Sequence, residues 1–277
     1  MGVIAIPRTE AAQLAPRWFA LRAFGNEAGK GLRLMWRHRA ITITGIVMNG
    51  LMYLMIQFFI GGGHLVLAVM ALTLPALSAY SLASAAALQG SGGIAEEVNG
   101  GTLEQAHLSP APPSLLVLGR VAALAVQGLI TAAVLMLVFG LGYRPHWVIR
   151  PDVLIPLLLT ILDALGYGLL MTALTLRVAS IGAVVHVFNM AVMFFGGMLI
   201  PITLFPHGIE IFARFLPTAL GTEVLNTTLA GHGLGAAWSD GALPWLLVHV
   251  VVLAGLGWAA YLHAVRRARR EGGLSPR

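Results

Sequence analysis

Residues 121–142 read VAALAVQGLITAAVLMLVFGLG, an apolar stretch without a single charged side chain. At about 1.5 Å of rise per residue, a stretch of this length can cross roughly 30 Å of hydrocarbon as one helix. The rest of the chain has the same character, because 58% of its 277 residues are hydrophobic, 10% are charged and the mean hydropathy is +0.84. The sequence therefore predicts an integral membrane protein.

Further apolar stretches of similar length divide the chain. Six stretches lie at about 41–61, 64–88, 114–142, 152–176, 181–204 and 243–265, and the third of them contains the residues quoted above. Segments rich in Gly, Pro and charge separate the six stretches. We predict an all-α protein with six transmembrane helices. The transmembrane domain would cover residues 41–265, between an amino-terminal segment at 1–40 and a basic tail at 266–277.

The basic residues are distributed unevenly across this arrangement. Of the 17 Lys and Arg residues, 14 fall on one side, and Arg144, Arg150 and Arg214 fall on the other. The positive-inside rule therefore places both termini in the cytoplasm. Because the cations flank apolar segments, the net charge of +6 favours membrane lipids as partners and not nucleic acid.

Residues 1–40 do not have the pattern of a cleaved signal peptide. They carry seven cations and two carboxylates, and apolar side chains recur among them at roughly helical spacing: Trp18, Leu21, Phe24, Leu32, Met35 and Trp36. This pattern is typical of an amphipathic helix lying on the membrane surface. The alternative is a disordered basic leader.

The polar segment between the second and third stretches contains the most informative string. Residues 97–110 read EVNGGTLEQAHLSP, with Gly119-Arg120 shortly afterwards. Thr102 can cap a short helix, and Pro110 would end it. On the residues alone this is either a cytoplasmic helix that transmits motion into the two spans beside it, or an ordinary capped loop helix.

The long connection at about 205–242 is a second structured segment. Its apolar run from Ile209 to Leu216 is too short to cross a bilayer, so we predict an external re-entrant or interfacial helical hairpin.

Both segments resemble signatures of the ABC-2 type permeases, the membrane subunits of type-2 ABC exporters. The first matches Glu-x-x-x-Gly-Thr-Leu-Glu-Gln-x-x-x-Ser-Pro, and the second matches Gly197-Met-Leu-Ile-Pro201 with the later Leu216-Pro217-Thr218. Ala106 and Pro112-Pro113 depart from the family pattern. The resemblance covers most of the chain.

The resemblance implies specific roles. The ATPase-coupling residues would be Glu97, Gly101, Thr102, Leu103, Glu104, Gln105, Leu108 and Pro110, and the external hairpin would include Pro201, Pro206, Pro217 and Glu223. It also implies a separate ABC ATPase subunit, a second permease copy as homodimer or heterodimer, and a bacterial inner membrane. Since the chain lacks a Gly-x-x-x-x-Gly-Lys-Ser/Thr string, ATP and Mg²⁺ would be bound by the partner, with no cofactor and no catalytic residue here.

Several polar residues fall within the predicted spans. Three pairs share a helical face: Asn49 with Tyr53, Asp163 with Tyr167, and His186 with Asn189. They either line a translocation pathway or form hydrogen bonds that hold the bundle together. The nine histidines show no metal-ligand spacing, so we predict no metal site.

The sequence thus favours a permease that exports a hydrophobic or amphipathic substrate, such as a drug, lipid, glycan or peptide. A proton-coupled secondary transporter or channel using Asp163 is the main alternative. A membrane-embedded enzyme is a third, but no catalytic constellation supports it.

Overall fold

The computed structural model describes residues 17–99, 113–177 and 182–270, and the regular structure within these ranges is helical. The helices are α1 (Arg17–Arg37), α2 (Arg39–Ile60), α3 (Leu67–Ser84), a π-helical turn (Ala85–Gln89), α4 (Gly90–Asn99), α5 (Pro113–Tyr143), α6 (Leu154–Arg177), α7 (Gly182–Phe195), α8 (His207–Arg214), α9 (Ala219–Leu229), α10 (Gly233–Ser239) and α11 (Ala242–Arg270). Short 3-10 turns at Pro151–Val153 and Ile202–Leu204 precede α6 and α8.

Five segments within the described residues are long and apolar enough to cross a membrane. They are Arg39–Ile60, Leu67–Glu96, Leu118–Tyr143, Pro151–Arg177 and Ala242–Arg267. The predicted class, an all-α integral membrane protein, is confirmed. Helix α1 also forms where the sequence predicts an amphipathic helix.

The predicted end of the second span at residue 88 is wrong. Helix α3 continues through the π-helical turn into α4, so the chain is helical from Leu67 to Asn99. The polar, Gly-rich extension has its own packing, because Ile94 is fully buried in a cluster with Ala173 and Tyr261. Burial of this one apolar side chain favours a helical conformation that the composition does not suggest.

The predicted fifth span, residues 181–204, is also wrong as a single helix. Helix α7 has 14 residues, a length of about 21 Å, and ends at Phe195. Gly197 follows with a φ of 87°, a backbone conformation that glycine adopts without strain and that a helix cannot contain. Among the described residues, the bundle therefore has five segments long enough to span a membrane and one shorter apolar helix.

The connections define two ends of the bundle. At the hairpin end, comprising residues 61–66, 144–153 and 196–241, the backbone N–H of Val148 donates to the carbonyl of Leu229 at 2.8 Å, and Trp147 Nε1 donates to the carbonyl of Ala71 at 3.2 Å. The opposite end contains α1, α4 and the carboxyl-terminal part of α6. In the predicted topology the hairpin end is external.

Helix α6 crosses α11 at very short range. A Cβ added to Gly257 would lie 2.3 Å from the carbonyl oxygen of Gly166, and one added to Gly166 would lie 2.8 Å from the backbone nitrogen of Ala254. Small residues allow this backbone approach, which maximises van der Waals contact between membrane helices. The crossing fixes the position of α6 relative to α11, the two helices that contact the hairpin.

Candidate functional site

The hairpin, residues 196–241, inserts one helix into the bundle. Helix α9 buries Leu220 and Val224 against Leu243 and Leu246 of α11. It also crosses α6 closely, since a Cβ on Gly221 would lie 2.1 Å from the Thr160 hydroxyl oxygen. The apolar run predicted to form a re-entrant or interfacial piece, Ile209 to Leu216, lies mainly in α8, where Ile209, Ile211 and Phe212 are exposed. The helix that inserts into the bundle is α9, which this run does not include.

Asp163 binds the amino terminus of α9. Its side chain is 1% exposed, and its Oδ2 accepts a hydrogen bond from the backbone N–H of Thr218 at 2.8 Å. Thr218 is the N-cap of α9, and its own side chain makes no capping bond. The carboxylate therefore satisfies a free backbone donor at the positive end of the helix dipole.

His249 of α11 completes this anchor. Its Nδ1 lies 2.7 Å from Asp163 Oδ1, and its Nε2 lies 3.1 Å from the carbonyl oxygen of Phe215. A carbonyl only accepts, so Nε2 carries a proton. The other proton lies between Nδ1 and Oδ1, which makes the pair neutral overall, as an ion pair or as a neutral imidazole with a carboxylic acid. Neutrality reduces the cost of placing these groups inside the bundle.

The anchor lies well inside the bundle. Asp163 follows Leu154, the first residue of α6, by nine positions, which corresponds to about 14 Å along the helix axis. This is about half of the roughly 30 Å hydrocarbon thickness. The start of α9 thus contacts the middle part of α6, inside the apolar bundle, where an uncapped backbone N–H would be costly.

The remaining polar residues predicted for a pathway occupy different surroundings. Tyr53 is fully buried and its hydroxyl pairs with Thr73 Oγ1 at 2.8 Å, and Asn189 Nδ2 donates to the Tyr80 hydroxyl at 3.0 Å. Tyr167 is buried in the same apolar cluster as Tyr53 and Tyr80. By contrast, Asn49 is half-buried and His186 is exposed. In this single protomer the six residues therefore do not form one surface.

Sequence reasoning missed the partners of these residues. Helix α3 supplies the hydrogen-bond partners of α2 and α7, since Thr73 bonds with Tyr53, and Tyr80 and Ser84 accept from Asn189. His249 of α11 pairs with Asp163. His249 carried a usable signal, because an ionisable residue in a span needs a polar partner and Asp163 needs one too.

An ion-pair cluster lies within the hairpin. Arg214 Nη2 contacts Glu223 Oε1 at 2.8 Å and Glu210 Oε1 at 3.0 Å, so one cation joins α8 to α9. Burial raises the pKa of Glu223, and the neighbouring Arg214 partly offsets the effect.

Among the predicted hairpin prolines, Pro201 and Pro217 are buried, whereas Pro206 is exposed and begins α8 as its N-cap.

The predicted coupling residues fall largely beyond the described ranges. Gly101, Thr102, Leu103, Glu104, Gln105, Leu108 and Pro110 lie outside them, and Glu97 is placed only as part of the α4 backbone. Nearby, Gly119 lets α1 approach α5, because a Cβ there would lie 2.9 Å from the carbonyl oxygen of Phe24, and Arg120 contacts Glu27 at 3.6 Å. The Gly-Arg pair that follows the motif therefore packs α1 against α5.

A groove of about 460 Å³ opens at the opposite end, between α1, α4 and α5. Its polar lining includes Glu27, Lys30 and Arg120, and its apolar lining includes Leu34 and Leu124. The combination suits a molecule with a charged head and a hydrophobic body. Within the described ranges, no group of three or more His, Cys, Asp or Glu side chains is arranged to hold a metal ion.

The chain was also compared with known proteins. The family described as ABC-2 type transporter matches residues 28–229, which is more than half of the chain. The match spans α2 to α9, and so includes the anchor residue Asp163 and the hairpin ion pair. A search of curated proteins finds no significant match.

Proposed function

The chain belongs to the ABC-2 type transporter family and is a multi-pass membrane permease component of an ABC transporter, and from this premise we propose that it exports a hydrophobic or amphipathic substrate with ATP hydrolysed by a separate subunit. The family match is the observation that carries the proposal. ATP and Mg²⁺ would bind to that ATPase, since this chain has no phosphate-binding loop sequence.

We place the ATPase contact at the opposite end, on residues 97–110. This segment joins α4 to α5, and α4 is continuous with α3 through the π-helical turn. Because α1 packs on α5 at Gly119, a displacement of the segment would reach three membrane-associated helices. The proposed coupling residues are those of the Gly-Thr-Leu-Glu-Gln motif.

We propose a bacterial inner-membrane location with both termini in the cytoplasm and the hairpin outside. The distribution of cations supports this orientation, because 14 of the 17 Lys and Arg residues lie on the side opposite to the hairpin. The chain contains no cysteine, so single cysteines introduced at Gly100 and Gly233 report sidedness without background. We expect an impermeant thiol reagent to label position 233 in intact cells and position 100 only after the membrane is opened. The reverse pattern would contradict the coupling assignment.

The working unit would contain two permeases. The faces of α2 and α7 carry exposed apolar side chains, including Val47, Met48, Val187 and Phe188, which need lipid or a second copy as their neighbour. A homodimer would place the half-buried Asn49 and the exposed His186 between the protomers, where they could contribute polar groups to a pathway. The side chains that line this pathway would pack against the buried Tyr53, Tyr167 and Asn189.

The Asp163 geometry favours this proposal over proton-coupled transport. The carboxyl group is 1% exposed, and both its oxygens are engaged by groups of the same protomer. A proton-carrying carboxylate needs access to water from one side or the other, and this one anchors α9 instead.

Reconstitution with a co-expressed ABC ATPase tests the proposal directly. Vesicles containing both proteins should accumulate a labelled amphiphile only with hydrolysable ATP, and a proton gradient should not replace ATP. Accumulation driven by a pH step in the absence of the ATPase would instead support the secondary transporter.

A further inference from the structure

The groove between α1, α4 and α5 is large enough and accessible enough to hold a ligand. Its volume of about 460 Å³ falls within the roughly 300–1,000 Å³ of typical ligand pockets. Among its lining residues, the side chain of Lys30 is 47% exposed and that of Arg120 is 20% exposed, and Glu96 is exposed as well. A molecule that enters the groove can therefore reach charged groups of both signs.

Two glycines keep the α4 wall of the groove open. A Cβ added to Gly90, at the start of α4, would lie 2.8 Å from the Thr172 hydroxyl oxygen, so helix packing explains this glycine. A Cβ added to Gly92 or Gly93, which also line the groove, would meet no atom of the described residues within 4 Å. Glycine is less favourable than alanine inside a helix. Packing among the described residues therefore does not account for Gly92 and Gly93, whereas an occupant of the groove would.

The charges of the groove are divided between its walls. On the wall formed by α1 and α5, Lys30 and Arg120 share the carboxylate of Glu27, each at 3.6 Å, so two cations face one anion. On the α4 wall Glu96 adds a second carboxylate. With His38 neutral, the formal charges of the described lining residues sum to zero. Positive and negative walls with no net charge match a zwitterion better than they match a simple anion or cation.

The apolar part of the lining indicates that this zwitterion is attached to a lipid. Leu34 of α1 is 47% exposed and Ile41 of α2 is 71% exposed, and the half-buried Leu88 and Leu124 continue the lining beside them. Acyl chains would remove these side chains from water, whereas a small polar zwitterion would leave them uncovered. The groove also adjoins α1, the helix whose sequence is typical of a membrane surface. A lipid of the neighbouring leaflet is therefore the occupant that matches both parts of the lining.

We propose that the groove binds one phospholipid with an aminoethyl headgroup, taken from the leaflet beside α1. The phosphate accepts a charge-assisted hydrogen bond from Lys30, and Arg120 adds a second positive charge nearby. The primary ammonium donates to Glu96, and the acyl chains pack against the apolar lining. This inference concerns lipid binding by the chain alone, so it does not rest on export or on ATP hydrolysis.

Native mass spectrometry of the purified full-length chain in detergent micelles tests the proposal, because it resolves the first bound lipid from later ones. The probes are dioleoyl phosphatidylethanolamine, phosphatidylcholine and phosphatidylglycerol, which differ only in the headgroup. We expect the first phosphatidylethanolamine to bind at least about fivefold more tightly than the other two, since phosphatidylcholine has no N–H donor and phosphatidylglycerol has no cation. Equal affinities for all three would indicate surrounding lipid only and would overturn the proposal. Equal or tighter binding of either control lipid would overturn the assignment of the ammonium to Glu96.

Charge variants locate the headgroup. Lys30→Gln should weaken the first phosphatidylethanolamine at least about fivefold, because a charge-assisted hydrogen bond is lost. Arg33→Gln is the matched control, since it removes a cation from the same helix at a position that is not among the groove-lining residues. Glu96→Gln should remove the preference for phosphatidylethanolamine over phosphatidylcholine, whereas Asp240→Asn at the hairpin end should preserve it. Equal effects of Lys30→Gln and Arg33→Gln, or an unchanged preference in Glu96→Gln, would contradict the site.

A filled groove tests the site without changing its charges. Gly92→Leu places an apolar side chain on the open wall, and Gly25→Leu is the control, because a Cβ at Gly25 also meets no described atom within 4 Å but Gly25 does not line the groove. Both variants should keep or raise the thermal unfolding midpoint in lipid-free micelles, because leucine is a better helix former than glycine. We expect the selective first binding of phosphatidylethanolamine to disappear in Gly92→Leu and to persist in Gly25→Leu. Selective binding that survives in Gly92→Leu would show that the lipid binds elsewhere.

Discussion

The carboxylate of Asp163 and the backbone nitrogen of Thr218 lie 2.8 Å apart although 55 positions separate the two residues. Thr218 has a φ of 71°, and its hydroxyl does not cap the helix that it begins. A threonine at an N-cap commonly satisfies a helical N–H with its own side chain. Here a carboxylate from a transmembrane helix accepts from the backbone N–H of the N-cap residue itself, as the acidic residue of a capping box does, and joins the hairpin to the bundle.

Replacement of Asp163 separates hydrogen bonding from charge. In Asp163→Asn the amide oxygen can still accept from Thr218, and the amide NH₂ can donate to His249 Nδ1 while Nε2–H donates to Phe215. We expect a loss of stability below about 1 kcal/mol. Asp163→Ala leaves the buried N–H without a partner and should cost about 1–3 kcal/mol. Denaturant unfolding in detergent micelles measures both, and equal losses would contradict the anchor.

The fold follows from the sequence wherever apolar length alone determines the structure. The long stretch around Leu135 predicts its span to within a few residues, since hydrophobic length fixes where a helix can cross. The end of the fifth span at Phe195 was not predictable in this way, because the following residues are equally apolar and only the backbone turn at Gly197 ends the helix. Helix α4 is not predicted for the opposite reason, since its composition is polar and, among its described side chains, the buried apolar one is Ile94.

The site is less predictable than the fold. The sequence indicates that Asp163 needs a partner, but periodicity relates residues within one helix, and its partners His249 and Thr218 belong to other elements. The helical spacing around Tyr53 and Asn189 likewise predicts which face of each helix is buried, while their partners Thr73 and Tyr80 depend on how α3 packs. Short-range patterns therefore identify which polar groups need partners without identifying the partners.

Two glycines on α11 provide a matched test of the crossing with α6. Gly257→Ala places a Cβ about 2.3 Å from the carbonyl oxygen of Gly166, so the helices must separate, whereas a Cβ at Gly255 meets nothing within 4 Å. We expect Gly257→Ala to cost about 1–3 kcal/mol. Gly255→Ala should leave the unfolding midpoint unchanged or slightly higher. Similar midpoints for the two variants would show that the crossing does not hold the bundle.

The hairpin ion pair should respond asymmetrically to mutation. Arg214→Met leaves the largely buried Glu223 without its cation and should cost about 1–3 kcal/mol near neutral pH, because the pair is partly exposed to solvent, whereas Arg214→Met combined with Glu223→Gln should recover much of the loss. Burial raises the pKa of Glu223 above its ordinary 4.5, and loss of Arg214 raises it further. A carboxyl group whose pKa is higher in the folded state than in the unfolded state stabilises the fold below pH 4.5, its ordinary pKa. This stabilisation is lost as the pH rises through the folded-state pKa.

The deficit of Arg214→Met should therefore shrink on acidification towards pH 4.5, the ordinary pKa of this carboxyl group. Thermal unfolding of the wild type and the variant across this range measures the effect, with Arg214→Met/Glu223→Gln as the control that lacks the titrating group. A deficit that is constant with pH in Arg214→Met would contradict a buried, uncompensated carboxylate.

Charge reversal at Glu104 tests the transmission of motion from the ATPase. Glu104 belongs to the motif that the family resemblance assigns to ATPase docking, in a polar segment between α4 and α5 where a lysine adds little cost to membrane insertion. Glu104→Lys would place the wrong charge at a docking surface, which can cost several kcal/mol of association. We expect normal expression and a normal unfolding midpoint, but reduced co-purification with the ATPase and weaker substrate-stimulated ATP hydrolysis. Asp240→Lys, an exposed reversal at the hairpin end, should leave co-purification unchanged. If Glu104→Lys retains both partner binding and stimulated hydrolysis, or if the two reversals reduce co-purification equally, residues 97–110 do not transmit the signal.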